Sequence, residues 1–285
     1  MGQHTAMFSA ALAKPSAAAR AAAVALALAS IFFAPLSGGF AMLPAQGAPA
    51  QPGTLAEHIA AGDKATDARQ PKLALAQYEA ALQAAPRSTD ALWKASGAAI
   101  DIGEVDTDEK RREATFAKAT DYARRAIATD SSNAEANFAM ARGLGRSALT
   151  VGPRDRIKFA KEVRRYALKT LSVDAKHPGA MHVMGVWNAE IMRLNGMVRL
   201  FAKTVLGGQI LGEASWAAAA KYLEQSVAID PIRAVHRLDL ARVYRDMGRK
   251  PEARAAYEAA IKAPLKDAND DLYQRQAAEE LRALK

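Results

Sequence analysis

Residues 234–267 read AVHRLDLARVYRDMGRKPEARAAYEAAIKAPLKD. Gly248 divides this stretch into two helical segments. It stands where the first helix must stop, a place that favours a residue able to adopt positive φ. Ala253 and Ala260 are small and fall on one face of the second segment, so the two helices can approach closely. Tyr257 lies between them in register and fills the space that the alanines leave. With Tyr244, these residues define a 34-residue unit built from one helix pair.

That spacing is the signature of a tetratricopeptide repeat. The same frame fits residues 55–88, with Gly62, Ala74, Tyr78, Ala81 and Pro86 at the equivalent positions. Stretched versions fit 89–133, 134–177 and 178–233, at 45, 44 and 56 residues. Each closes on a related phrase (AIATDSSNAEA, TLSVDAKHPGA, SVAIDPIRAV), whose acid or proline starts the next turn and helix. The first two excesses over the 34-residue period are expected to lengthen helices or the turns between them. The 56-residue unit predicts a helix over 197–206 inserted between its two halves. NDDLYQRQAAEELRALK (269–285) predicts a capping helix with Leu272, Ala277 or Ala278, and Leu281 on one side.

The fold class expected is therefore all-α: a right-handed superhelical solenoid of about five tetratricopeptide-like helix pairs, with an inserted helix and a C-terminal cap. Composition agrees. Half the chain is hydrophobic, aromatics are 6%, and alanine, the best helix former, is abundant. Five repeats exceed the roughly three that a repeat stack needs for stability.

Residues 181–203, MHVMGVWNAEIMRLNGMVRLFAK, hold four methionines, a tryptophan and a phenylalanine. Ala180, Met184, Trp187, Ile191 and Leu194 recur at steps of four and three, the spacing of one buried helical face. Methionine adapts to irregular gaps. The expectation is a core stripe, followed by a short element in which Leu200 and Phe201 stand beside Arg199 and Lys203. If those four side chains face outward, they suit an anionic lipid surface.

The N-terminal region differs from the rest. Lys14 and Arg20 precede AAAVALALASIFFAPL (21–36), and small-residue exits follow at Gly39-Phe40-Ala41 and Ala48-Pro49-Ala50. This is the pattern of a secretory signal. Pro35 and Gly38-Gly39 cut the apolar run below the ~20 residues that span a bilayer comfortably. Residues 1–50 are therefore expected to be a signal peptide or membrane segment with a short linker. Residues 51–285 are expected to be the repeat domain, placed in the periplasm or cell envelope.

The chain carries 39 Lys+Arg against 30 Asp+Glu, net +9. The excess is local: residues 142–169 hold nine bases and two acids. Read blandly, this is a solvated helix with stray pairs to Asp155 and Glu162. Read more sharply, it is a contact for anionic lipid, an envelope polymer or an acidic protein. Nucleic acid is not expected, given the export signal and the scarcity of nearby aromatics.

No catalytic chemistry is legible. There are no cysteines, which excludes disulfides, thiolate metal sites and a cysteine nucleophile. His177 and His182 are five apart, not at a spacing that puts both on one helix face for a metal, and no H-E-x-x-H occurs. Gly143-Leu-Gly-Arg-Ser-Ala148 matches a dinucleotide glycine pattern only on paper, because it follows a helix and not a strand. No Walker loop or G-x-S-x-G is present. No cofactor, metal or catalytic residue is assigned.

The concave face of such a solenoid is lined mainly by the first helix of each pair. The candidates for that face are Trp93, Phe138, Arg142, Arg146, His182, Glu190, Leu238, Arg242 and Arg245, with Arg199 and Lys203 added from the inserted element. This mixture suits a ligand with an acidic group beside an apolar one.

HPGAMHVMGVWNAEI, then RLFAKTVLGG, then EASWAAAAKYLEQSVAIDP resembles the regulator of microtubule dynamics family of tetratricopeptide proteins. The phrase at His182, Gly185 and Trp187 carries the likeness. The closing APLKDANDDLYQRQAAEELRAL resembles that family's end, an acidic linker before a last helix. The likeness covers roughly 55–285. It implies a non-enzymatic adaptor that binds a protein or peptide, with membrane lipid as the alternative ligand. Tubulin, a partner of animal members, is not expected for an exported chain.

Overall fold

The computed structural model describes residues 53–194 and 212–284. Among them are eleven α-helices and no strand. In chain order they are α1 Leu55–Asp67, α2 Pro71–Ala84, α3 Thr89–Val105, α4 Glu109–Thr129, α5 Ala134–Ser147, α6 Pro153–Val173, α7 Pro178–Arg193, α8 Trp216–Ile229, α9 Ala234–Asp246, α10 Lys250–Ile261 and α11 Asp270–Ala283. Each odd helix through α9 packs on the helix that follows, and each pair packs on the next. The result is five helix pairs and a cap. The expected inserted helix over 197–206 lies outside the described residues, as do the signal segment, Arg199 and Lys203.

Local chemistry accounts for the helix starts. Thr54 and Glu57 form a capping box: Glu57 N–H donates to Thr54 Oγ1 at 3.3 Å and Thr54 N–H donates to Glu57 at 2.7 Å. Ser88, Asp108, Asn133 and Ser215 cap α3, α4, α5 and α8 in the same sense. His177 caps α7 through Nδ1, which accepts from Ala180 N–H at 3.0 Å. Prolines open α2, α6, α7 and α10, where a missing N–H costs nothing.

The repeat signature has a physical origin in the buried residues. Ala74, Tyr78 and Ala81 of the first pair and Ala253, Tyr257 and Ala260 of the fifth are all buried. Gly62 admits the Tyr78 ring where a Cβ would lie 2.3 Å from it. Gly103 does the same for Phe116 at 2.5 Å, and Gly185 for Leu223 at 2.4 Å. Gly248 takes φ +77° at the end of α9, as its place requires. The first repeat has Arg69 at the same place, with φ +60°, a region that side-chain-bearing residues rarely occupy.

The extra length of repeats two and three goes into their helices. α4 and α6 each run 21 residues, against 12–14 in the first and fifth pairs. The α7 stripe is core throughout: Ala180, Met184, Trp187, Ile191 and Leu194 are all buried. Trp187 also donates its indole N–H to the Ala160 carbonyl at 2.8 Å, which satisfies its one polar atom. The cap face differs by one residue from expectation. Ala277, Leu281 and Leu284 pack on α9 and α10, but Tyr273, not Leu272, leads the row.

A candidate binding cavity closed by the C-terminal link

The first helices of the pairs put Trp93, Gly97, Asp101 and Glu104 of α3 on one face at steps of four, four and three. α5 presents Phe138, Arg142 and Arg146, α7 presents His182 and Glu190, and α9 presents Asp239. These faces surround a cavity of about 610 Å³. A solenoid groove would be open on one side. Here the segment leading into α11 crosses to the second and first repeats. Asn269 donates its side-chain amide to the Asp101 carbonyl at 3.0 Å and to the Glu104 carboxylate at 2.9 Å. Tyr273 donates its hydroxyl to the same carboxylate, and Arg69 pairs with Asp271. These contacts join residues 165 to 202 positions apart and narrow the open side of the groove.

Charge in the cavity wall runs opposite to charge in the chain. Nine Asp and Glu line it against five Lys and Arg. Arg142 donates to Asp101 at 3.1 Å, Arg146 pairs with Glu104, and Arg233 pairs with both Asp230 and Asp267. Burial pushes the Asp101 carboxyl up to about 6; nearby Glu104 and Asp267 add to that, against the pull of Arg142. Burial also works to raise Glu104, but Arg146, Arg142, Tyr273 and Asn269 outweigh it and hold that group below the usual carboxylate range. Burial and the adjacent Glu104 carboxylate drive the Tyr273 hydroxyl well above its ordinary value, so it stays a donor.

A second polar cluster lies on α7 and α9. His182 Nε2 sits 2.8 Å from Asp239, and its ring stacks on His236 at 4.5 Å between centroids. His236 in turn contacts Ser226 Oγ at 2.9 Å. Burial, with His182 and Arg233 nearby, holds His236 well below its ordinary pKa, so it is neutral. Burial would raise Asp239, but the His182 hydrogen bond and Arg242 keep it well below the carboxylate range. Glu190 pairs with Arg193 and is pushed up by burial and by Asp239 and Asp246.

Trp93, Phe138, Arg142, Arg146, His182 and Glu190 thus share the cavity wall, as expected for the groove. Three candidates on α9 do not reach it. Leu238 is fully buried in the core. Arg242 donates to Glu280 at 2.7 Å and to Asp239 at 2.9 Å, and Arg245 donates to Glu280 at 2.8 Å. Both arginines hold the cap, because α11 takes the face of α9 that a sixth repeat would otherwise cover. Asp101 and Glu104 are wall residues that the sequence reading misses, although they follow Trp93 and Gly97 at helical spacing. It also misses Asn269 and Tyr273, because only the closure of the superhelix brings them to the site.

The basic stretch 142–169 does not form one patch. Arg142 and Arg146 face the cavity, and Arg156 is buried and donates to the Val151 carbonyl at 2.8 Å. Lys158 pairs with Asp155, Arg165 with Glu162, and Arg164 with Glu213. Among the described residues no group of His, Asp and Glu is arranged to hold a metal ion, and no helix is long and apolar enough to cross a membrane. Gly143–Ser147 lies within α5, with no strand before it.

The family model described as regulator of microtubule dynamics protein 1-3 matches residues 56–285. Regulator of microtubule dynamics protein 3 of Bos taurus is 22% identical over 190 residues, 67% of this chain and 40% of that protein. Regulator of microtubule dynamics protein 1 of Mus musculus is 23% identical over 195 residues, 68% of this chain and 63% of that protein. The chain therefore matches less than two thirds of the length of either relative. Among solved structures, a thermophilic TPR protein of Thermus thermophilus superposes with a TM-score of 0.58 at 17% identity, covering 79% of this chain and 99% of that one.

Proposed function

The chain belongs to the regulator of microtubule dynamics family, and from that premise we propose that it is a non-enzymatic scaffold holding a short segment of a partner protein inside the closed groove. The observation that carries this reading is the enclosure itself. A tetratricopeptide stack offers its concave face to partners, and here Asn269 and Tyr273 bridge to Glu104 across that face and bound a cavity of about 610 Å³. Cavities of roughly 300–1,000 Å³ enclose ligands of drug size. The occupant is thus a few residues of extended chain, not a folded surface. Its walls combine apolar faces (Trp93, Phe138, Val183, Val186) with ordered ion pairs, a mixture that binds and orients.

Gly145 supplies the test. It lines the cavity, and a Cβ there would meet nothing within 4 Å. Gly145→Leu adds its side chain to the cavity wall from a point where the Cβ meets no neighbour. A hexapeptide array probed with the purified repeat domain should give binders that the Gly145→Leu protein loses while its melting temperature holds. Binders retained in full by that variant would move the site elsewhere.

We further propose that the chain acts outside the cytoplasm, supported by the basic, apolar and small-residue succession over residues 14–50. Cell fractionation with N-terminal sequencing should find it in the envelope, starting after Ala41 or Ala50. In that compartment tubulin is not its partner.

A further inference from the structure

We propose that the segment held in the cavity carries a basic side chain, Lys or Arg, whose cation docks beside Asp101. The inference deepens the reading of the closed groove as a binding site and rests on it.

Where the C-terminal link meets α3, four carboxylates come together: Asp101, Glu104, Asp230 and Asp267. Among the described residues, ion pairs join them to three guanidinium groups. Arg142 answers Asp101, Arg146 answers Glu104, and Arg233 is shared by Asp230 and Asp267. The cluster is one cation short. By that count the shortfall lies with Asp230 and Asp267, which share one guanidinium; Asp267 in turn acts on Asp101, the member of the cluster that stands beside open space. Asp101 is not cut off from a ligand: 27% of its side-chain surface is accessible, and it lines the cavity.

Chain composition does not explain this. The protein as a whole has net charge +9, so a wall with nearly twice as many acids as bases is a local arrangement. Neutralising a crowded carboxylate in a partly buried cavity is favourable, because attraction there is less screened than at a surface. Space for the incoming group exists next to Asp101. Gly97 stands one helical turn before it, and a Cβ added at Gly97 would find only the Arg142 guanidinium, at 3.8 Å. Trp93 on the same face of α3 and Phe138 on α5 offer apolar surface to the aliphatic stem of a lysine or arginine, which buries its methylenes while its head stays polar. An acidic segment meets the opposite balance and is repelled.

The probe is a fluorescently labelled, end-capped hexapeptide of Ala and Leu with one central position as Arg, Gln or Glu, read by anisotropy. At pH 7.5 the Arg version should bind at least tenfold tighter than the Gln version, and the Glu version weakest. Asp101→Asn should cut the Arg preference below twofold while leaving the Gln version's affinity in place. Gly97→Lys, which supplies a cation from the chain itself, should do the same by a different route. Equal affinities for Arg and Gln versions, both lost in Gly145→Leu, would overturn the cation while leaving the cavity as the site. A preference for Arg that survives both Asp101→Asn and Gly97→Lys would also overturn it. Failure of all three versions to bind would overturn the cation proposal. An array without cavity-dependent binders would then remove the closed-groove reading as well.

Discussion

Tyr273 donates its hydroxyl to Glu104 across 169 residues of sequence. That hydrogen bond ties the cap of the last repeat to the second repeat. A buried hydrogen bond to a charged group contributes about 2 kcal/mol. Tyr273→Phe is therefore expected to lower unfolding stability by about that amount. Hydrogen exchange should rise at 266–273 and around Glu104, with the α5–α6 pair unchanged. A uniform rise through the chain would instead mean that the link is not a separate contact.

The two carboxylates of the seam respond to pH in opposite senses. Glu104 is depressed below its unfolded value, so its stabilisation is complete above that value and is lost as pH falls through the folded one. Asp101 is raised from 3.8 to about 6, so its ionisation costs stability that is fully present above 6 and absent below 3.8. Asp101→Asn is expected to stabilise the free protein at pH 8, by up to about 3 kcal/mol. At pH 3.5 the gain should vanish. Thermal melts across that window check the sign; a destabilised variant at pH 8 would show that Arg142 needs the charge more than burial penalises it.

Glycines in the first helices of the pairs should sort by what a methyl group would meet. Gly185→Ala pushes a Cβ against Leu223 at 2.4 Å and the Ala219 carbonyl at 3.2 Å. Overpacking of this kind costs about 1–3 kcal/mol. Gly145→Ala meets nothing and gains helix propensity, up to about 1 kcal/mol. Urea titrations of the two single variants should move in opposite directions.

Gly248 and Arg69 occupy one position of the repeat in the left-handed region, at φ +77° and +60°. Gly248→Ala is expected to cost about 1–2 kcal/mol, because a Cβ there crowds the backbone. Arg69→Gly relieves the same crowding but removes the ion pair to Asp271. Its melting temperature should hold or rise, while exchange protection at the start of α11 falls. A fall in both would show that the ion pair outweighs the backbone term.

The helix pairs were legible because they rest on local residues. Gly248, Ala253 and Tyr257 act within one 34-residue unit, and their spacing survives in the sequence. Six of the wall residues were legible for the same reason, since Trp93, Phe138, Arg142, Arg146, His182 and Glu190 follow from which helix comes first in each pair. The closure was not. Asn269 and Tyr273 meet Asp101 and Glu104 only after five repeats have accumulated their rotation, and no short-range pattern encodes that sum. Arg242 and Arg245 turn away from the groove because the cap, a single helix of ordinary polar composition, takes the face on which they lie. The basic run 142–169 suggested a surface patch because sequence spacing does not show that Arg156 is buried or that Arg142 and Arg146 turn inward.

The enclosure is tested most directly by joining its two ends. The chain has no cysteine, so two introduced thiols can be labelled without background. Arg69→Cys with Asp271→Cys places one on each side of the seam where that ion pair stands. Treatment of the dilute monomer with a short bis-maleimide should give an intramolecular crosslink in nearly all molecules, seen as a faster-migrating species whose single crosslinked peptide joins the α1–α2 turn to the start of α11. Doubly modified but unlinked protein would mean that the groove stands open and that the cavity does not exist as a closed site.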